Sequence, residues 1–176
     1  MLADYTAVAD AAAMLDKQWK AFRATAQKDG AAAGDLKALD TAIAELIKAA
    51  DAATSEASVA RAANAVSAPM DELFALYDPT IPVDVLALDY LGREVVLDGM
   101  DKDWSAATAD VDSIEAKWKT LKKSVTDAGG KTEAADYAAS IADMRTDIEA
   151  EDDIKLIKDT NVGLELVDAI EHVFMP

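Results

Sequence analysis

The sequence predicts an all-α protein, a helical bundle of about seven helices. Three observations lead there. Apolar residues recur at alternating spacings of three and four; no segment keeps a period of two between turn signals; and one pattern of about 75 residues is used twice. Sliding the chain by 99 positions brings Trp19-Lys20 onto Trp118-Lys119, Leu15 onto Ile114, Phe22 onto Leu121 and Gly30 onto Gly129. The offset falls to 98 where Ile43-Ala44-Glu45-Leu46 meets Ile141-Ala142-Asp143-Met144, and to 97 from Asn64 on Asn161 onward. Both steps fall where loops are expected, as they would between true copies. Residues 5–79 and 104–176 therefore read as two three-helix units, joined by a buried central helix over 82–98, in a single domain spanning 1–176.

The first helix of each copy carries one apolar stripe: Tyr5, Val8, Ala12, Leu15, Trp19 and Phe22, then Trp104, Val111, Ile114, Trp118, Leu121 and Val125. Asp29-Gly30 and Gly129-Gly130 supply the stops, since glycine accepts the left-handed conformation that ends a helix. The second helices begin near Asp35 and Thr132, with Leu36, Leu39, Ile43 and Leu46 matched by Tyr137, Ile141, Met144 and Ile148. The third carry Val59, Val66, Met70, Leu73 and Tyr77 against Leu156, Val167, Ile170 and Phe174. Pro69 should bend the first of these, because it removes a backbone donor; the second copy has Leu166 there. The central helix has Pro82 at its start and Gly99 as its expected stop. Its apolar residues cover much of its circumference, as expected of a helix packed between the two units.

Composition narrows function more than it names it. The 176 residues carry 34 acidic and 17 basic side chains, a net charge of −17. Such a chain repels phosphate backbones, and its basic residues are scattered, so nucleic acid is not an expected partner. There is no cysteine, which removes disulfides, thiolate catalysis and zinc-thiolate sites. The 52% hydrophobic content is inflated by 39 alanines, which favour helices but bury little area. No apolar run approaches the roughly 18 residues of a spanning helix. Met1-Leu2-Ala3-Asp4 does not read as a signal peptide, and a trimmed mature form would look the same.

Candidate chemistry is sparse. His172 and Met175, three apart on one helix, would start a copper site, yet His172 is the only histidine and the weightier reading is a surface residue near a helix C-terminus. A di-metal carboxylate bundle needs two Glu-x-x-His pairs, and position 169 is alanine. Asp101-Lys102-Asp103-Trp104-Ser105 lacks the glycine of a calcium loop, so its aspartates read as helix caps. The acidic run Glu149 to Asp153 reads as a complement to the next helix dipole. Trp19 and Trp118 would wall a ligand site between the units; core packing is the weightier alternative. The recurring Asn64/Asn161 and Asp71/Asp168 pairs point to hydrogen bonds between helices. No phosphate-cradling loop, nucleophile elbow or Ser/His/Asp constellation can be assembled, so no enzyme and no resident cofactor are expected.

The stretch Ala87-Leu88-Asp89-Tyr90-Leu91-Gly92-Arg93-Glu94, continuing through Trp104, Trp118 and Leu164 to Ile170, resembles uncharacterised exported helical proteins of bacteria. The resemblance covers about the last half of the chain. It implies an α-helical bundle and a periplasmic or lipoprotein-type location, without a lipobox cysteine here, and it carries no site residues. The expected function is a non-catalytic acidic binding or interaction protein of the bacterial cell envelope, with a protein partner or small ligand. The alternative is a carrier of a metal ion or small ligand, using the groove between the repeats or the His172/Met175 end.

Overall fold

In the computed structural model, residues 6–52 and 55–175 are described; the Tyr5 position of the first stripe lies outside them. Those residues form eight helices and no strand: α1 (Thr6–Asp29), α2 (Ala33–Ala52), α3 (Glu56–Ala65), α4 (Met70–Ala75), α5 (Val83–Asp101), α6 (Trp104–Asp127), α7 (Lys131–Glu149) and α8 (Asp153–Phe174). The all-helical bundle expected from the spacing is what the chain forms. Where the sequence reading places one domain over 1–176, the chain forms two compact units, divided between Asp78 and Pro79.

Helix ends follow local chemistry. Gly30 at φ 113° and Gly129 at φ 106° end α1 and α6 in the left-handed region. Asp103 and Asp152 cap α6 and α8 by accepting from the backbone N–H groups of Ala106 at 3.0 Å and Lys155 at 3.1 Å. Both were expected from sequence as caps or dipole complements. Gly99 does not stop α5, which runs on to Asp101 and ends with Lys102 in the left-handed conformation. Gly99 is buried, and a Cβ there would lie 3.2 Å from Ile157 Cγ1 and 3.4 Å from Leu156 Cδ2. Its small size lets α5 approach α8, which is a packing role rather than a capping one.

Pro69 does more than bend its helix. The segment is broken outright: α3 ends at Ala65, four residues before the proline, and α4 starts at Met70. A proline ring collides with the carbonyl four residues back and offers no N–H, so regular helix cannot continue through it. Tighter bonds fill the gap, from Ser67 N–H to Asn64 O at 2.8 Å and Met70 N–H to Ser67 O at 3.0 Å. With Leu166 at the matched position, α8 runs unbroken.

In the first unit, α2 is the central element, packing against α1, α3 and α4. Its core is Trp19, Ala26, Leu36, Leu39, Ile43 and Leu73. The second unit is a closed four-helix bundle in which α5 and α7 each pack against both α6 and α8. Its larger core includes Val85, Leu88, Ile114, Trp118, Tyr137 and Ile170. The central helix is thus an integral member of the second unit. Matched positions share burial: Ala12 and Val111, Trp19 and Trp118, Leu39 and Tyr137, and Leu73 and Ile170 are buried in both units.

Candidate functional site

The first unit contains an apolar cleft of about 620 Å³ between α1 and the broken α3–α4 segment. Leu39 of α2 and Leu73 of α4 form its buried floor, and Trp19 and Phe22 of α1 form one wall. The other wall is Val66 and Ser67 at the Pro69 break, then Met70, Phe74 and Tyr77. The helical stripe places Leu15, Trp19 and Phe22 on one face, and the break turns Val66 and Ser67 toward the same space. Phe22, Phe74 and Tyr77 are 44%, 42% and 46% exposed, a concentration of aromatic surface that water does not favour.

Two polar devices set the walls. Trp19 Nε1–H donates to Asp40 Oδ1 at 2.7 Å, and Arg23 donates through Nε and Nη2 to both oxygens of the same carboxylate at 2.8–3.0 Å. These bonds tie α1 to α2 and fix the indole at the cleft edge. The Arg23 guanidinium, with help from the indole, holds the Asp40 carboxyl below its ordinary pKa against the opposing effect of burial. At the other wall Tyr77 O–H donates to Asp29 at 3.0 Å, and its ring lies 6.1 Å from that of Phe22. Loss of hydration, and then the Asp29 carboxylate, push the Tyr77 phenol above its ordinary pKa, so it stays a neutral donor at neutral pH.

The sequence-predicted site residues separate. Trp19 borders this cleft, whereas Trp118 lies inside the second unit's core, edge-on to Tyr137 at 4.8 Å. Position 138, which matches Asp40, is alanine, and Trp118 Nε1 finds no acceptor among the described residues. His172 is exposed at the end of α8, its Nδ1–H donating to the Asp168 carbonyl at 2.7 Å. The helix stops at Phe174, and Met175 follows as its C-cap, its N–H donating to the His172 carbonyl at 3.3 Å. Asn161 does not reach another helix; its Nδ2 donates to the Ile157 carbonyl of its own, at 2.7 Å.

One acidic group escaped the sequence reading. Carboxylate oxygens of Glu94 and Asp98 on α5 and Asp110 on α6 lie within 4.8 Å of one another, with Asp98 2% exposed. Oxygen ligands suit a hard divalent cation, although three carboxylates are few beside the six to eight oxygens calcium takes. The cleft escaped too. Its signal in the sequence lies at the matched positions, where Phe74 stands against Glu171 and Ser67 against Leu164. Among the described residues no helix is long and apolar enough to cross a membrane. No known protein family, no curated protein sequence and no solved structure matches the chain.

Proposed function

We propose that this chain is a non-catalytic binding protein whose working site is the apolar cleft of the first unit. The observation that carries the reading is three aromatic rings, Phe22, Phe74 and Tyr77, left nearly half exposed around a space of about 620 Å³. Sites for apolar ligands and partner side chains have this volume, an apolar lining and a few fixed polar groups. The Asp40 and Asp29 contacts hold Trp19 and Tyr77 in place before anything binds, which lowers the ordering cost of association. Nothing in the cleft offers a nucleophile beside a base, and the reading assigns it no reaction. An envelope location rests on the resemblance of the second half and is a matter for cell fractionation.

The neutral dye N-phenyl-1-naphthylamine tests the site on the full chain. It should bind with a large gain in fluorescence at one site per chain. Phe22→Asp and Phe74→Ser should each weaken it at least tenfold, while Ile154→Ser, at a 76% exposed position of the second unit, should leave it unchanged. Dye binding that ignores both phenylalanines removes the cleft from the function.

A further inference from the structure

We propose that the cleft receives an amphipathic helix from a partner protein, one resembling α5 but basic where α5 is acidic. The inference rests on the cleft being the binding site and names its occupant. It comes from comparing the two units position by position. In the second unit, α6 and α8 are bridged by α5. Their counterparts in the first unit, by the sequence match, are α1 and the α3–α4 segment, and the cleft lies between those two.

The residues that meet α5 in one unit therefore match residues that line the cleft in the other. Lys117, whose Nζ donates to Asp84 of α5 at 3.1 Å, matches Gln18. Leu164, close enough to α5 that a Cβ on Gly92 would lie 2.8 Å from its Cδ2, matches Ser67. Glu171, whose carboxyl interacts electrostatically with Asp89 of α5, matches Phe74. Burial differs at the same positions. Ile114, Leu121 and Val167 are fully covered, whereas Leu15 and Met70 are only partly covered and Phe22 is 44% exposed. Among the described residues, the first unit has an open groove where the second unit has its fourth helix.

The substitutions between the copies describe what would fit. Ser67 in place of Leu164 makes room for a large side chain where α5 needs glycine. Phe74 in place of Glu171 removes one of the two acids facing Asp89, leaving Asp71 as the match of the other, Asp168. A lysine at that helix position would lay its methylenes on Phe74 and bring its ammonium toward Asp71. The first unit as a whole carries 12 acidic and 7 basic residues, so long-range attraction also favours a basic helix. The chain's own α5 is no rival occupant, since it is already held in its bundle and is itself acidic.

The test uses two fluorescein-labelled peptides with blocked ends. One has the sequence of residues 83–101; the other is the same with Asp89→Lys and Gly92→Leu. Each is titrated into the full chain and followed by anisotropy and by far-UV circular dichroism. The substituted peptide should bind at least tenfold more tightly than the parent and gain helix on binding. Phe22→Asp and Asp71→Lys in the protein should each cost at least tenfold, and Ile154→Ser should cost nothing. If the naphthylamine dye binds in the cleft but neither peptide does, the helix is wrong and the binding site stands. If the dye also fails, both fall. Light scattering that shows a dimer, with dye and peptide admitted only on dissociation, makes a second copy the occupant and overturns the proposal. Peptide binding indifferent to Phe22 and Asp71 overturns it as well.

Discussion

At the scale of single residues, the most consequential difference between matched positions of the two units is one carboxylate. Asp40 accepts from Trp19 and from Arg23 and so joins two helices at the mouth of the cleft. Replacing it with alanine leaves an indole N–H and a guanidinium without their acceptor. Solvent screens these partly exposed groups, so the variant should be only modestly less stable. The sign of its pH dependence follows from a folded pKa held below the unfolded one. The stabilisation is present above the ordinary carboxylate value of about 4 and is lost as pH falls through the folded value. The destabilisation of Asp40→Ala relative to the native chain in urea unfolding should therefore be larger at pH 7 than below pH 4. A difference that does not shrink as pH falls from 7 to 2 would assign the contact to packing instead. Trp118 shows the opposite solution: without a carboxylate at position 138, its indole is held by shape alone against Tyr137.

At the scale of elements, the break at Pro69 shapes the cleft. Val66 and Ser67 line the wall because the chain leaves regular helix there. Pro69→Ala restores the donor and removes the ring, and the unbroken α8 shows that a continuous helix suits this position in the fold. The variant should gain helical signal at 222 nm and bind the dye about fivefold more weakly, about 1 kcal/mol. Unchanged binding would mean that the break has no part in the wall. Much of this scale was legible beforehand. The helices follow from the spacing of large apolar residues, and the stops at Gly30 and Gly129 follow from their chemistry. Gly99 was misread because a glycine needed for close approach to Leu156 and Ile157 looks, in sequence, like a glycine needed for a turn. The cleft was not legible because apolar spacing reports which residues want cover, not which of them receive it. Phe22 and Leu121 have the same spacing and opposite fates, 44% and 3% exposed.

At the scale of the whole molecule, the two units divide size, charge and core unequally. The second unit holds 22 acidic and 10 basic residues and closes four helices on a continuous core. The first holds a smaller core with one side open. Local stability follows buried apolar contact, so the full chain should not open uniformly. Amide hydrogen exchange at pH 7 should protect α5–α8 at least tenfold more than α1–α4; equal protection would show that the units unfold as one. The division between Asp78 and Pro79 gives the first unit 78 residues and the second 98.

The second unit carries its fourth helix on its own chain, two residues away from α6, so that helix is present at a fixed and high effective concentration whatever the cell contains. Among the described residues no helix fills that place in the first unit. One supplied by a partner would arrive by mass action, and the unit's folding free energy would rise with the logarithm of the partner's concentration. Abundance of the partner would then be written into the melting behaviour of one half of the molecule and be invisible in the other, so the chain carries its own internal reference.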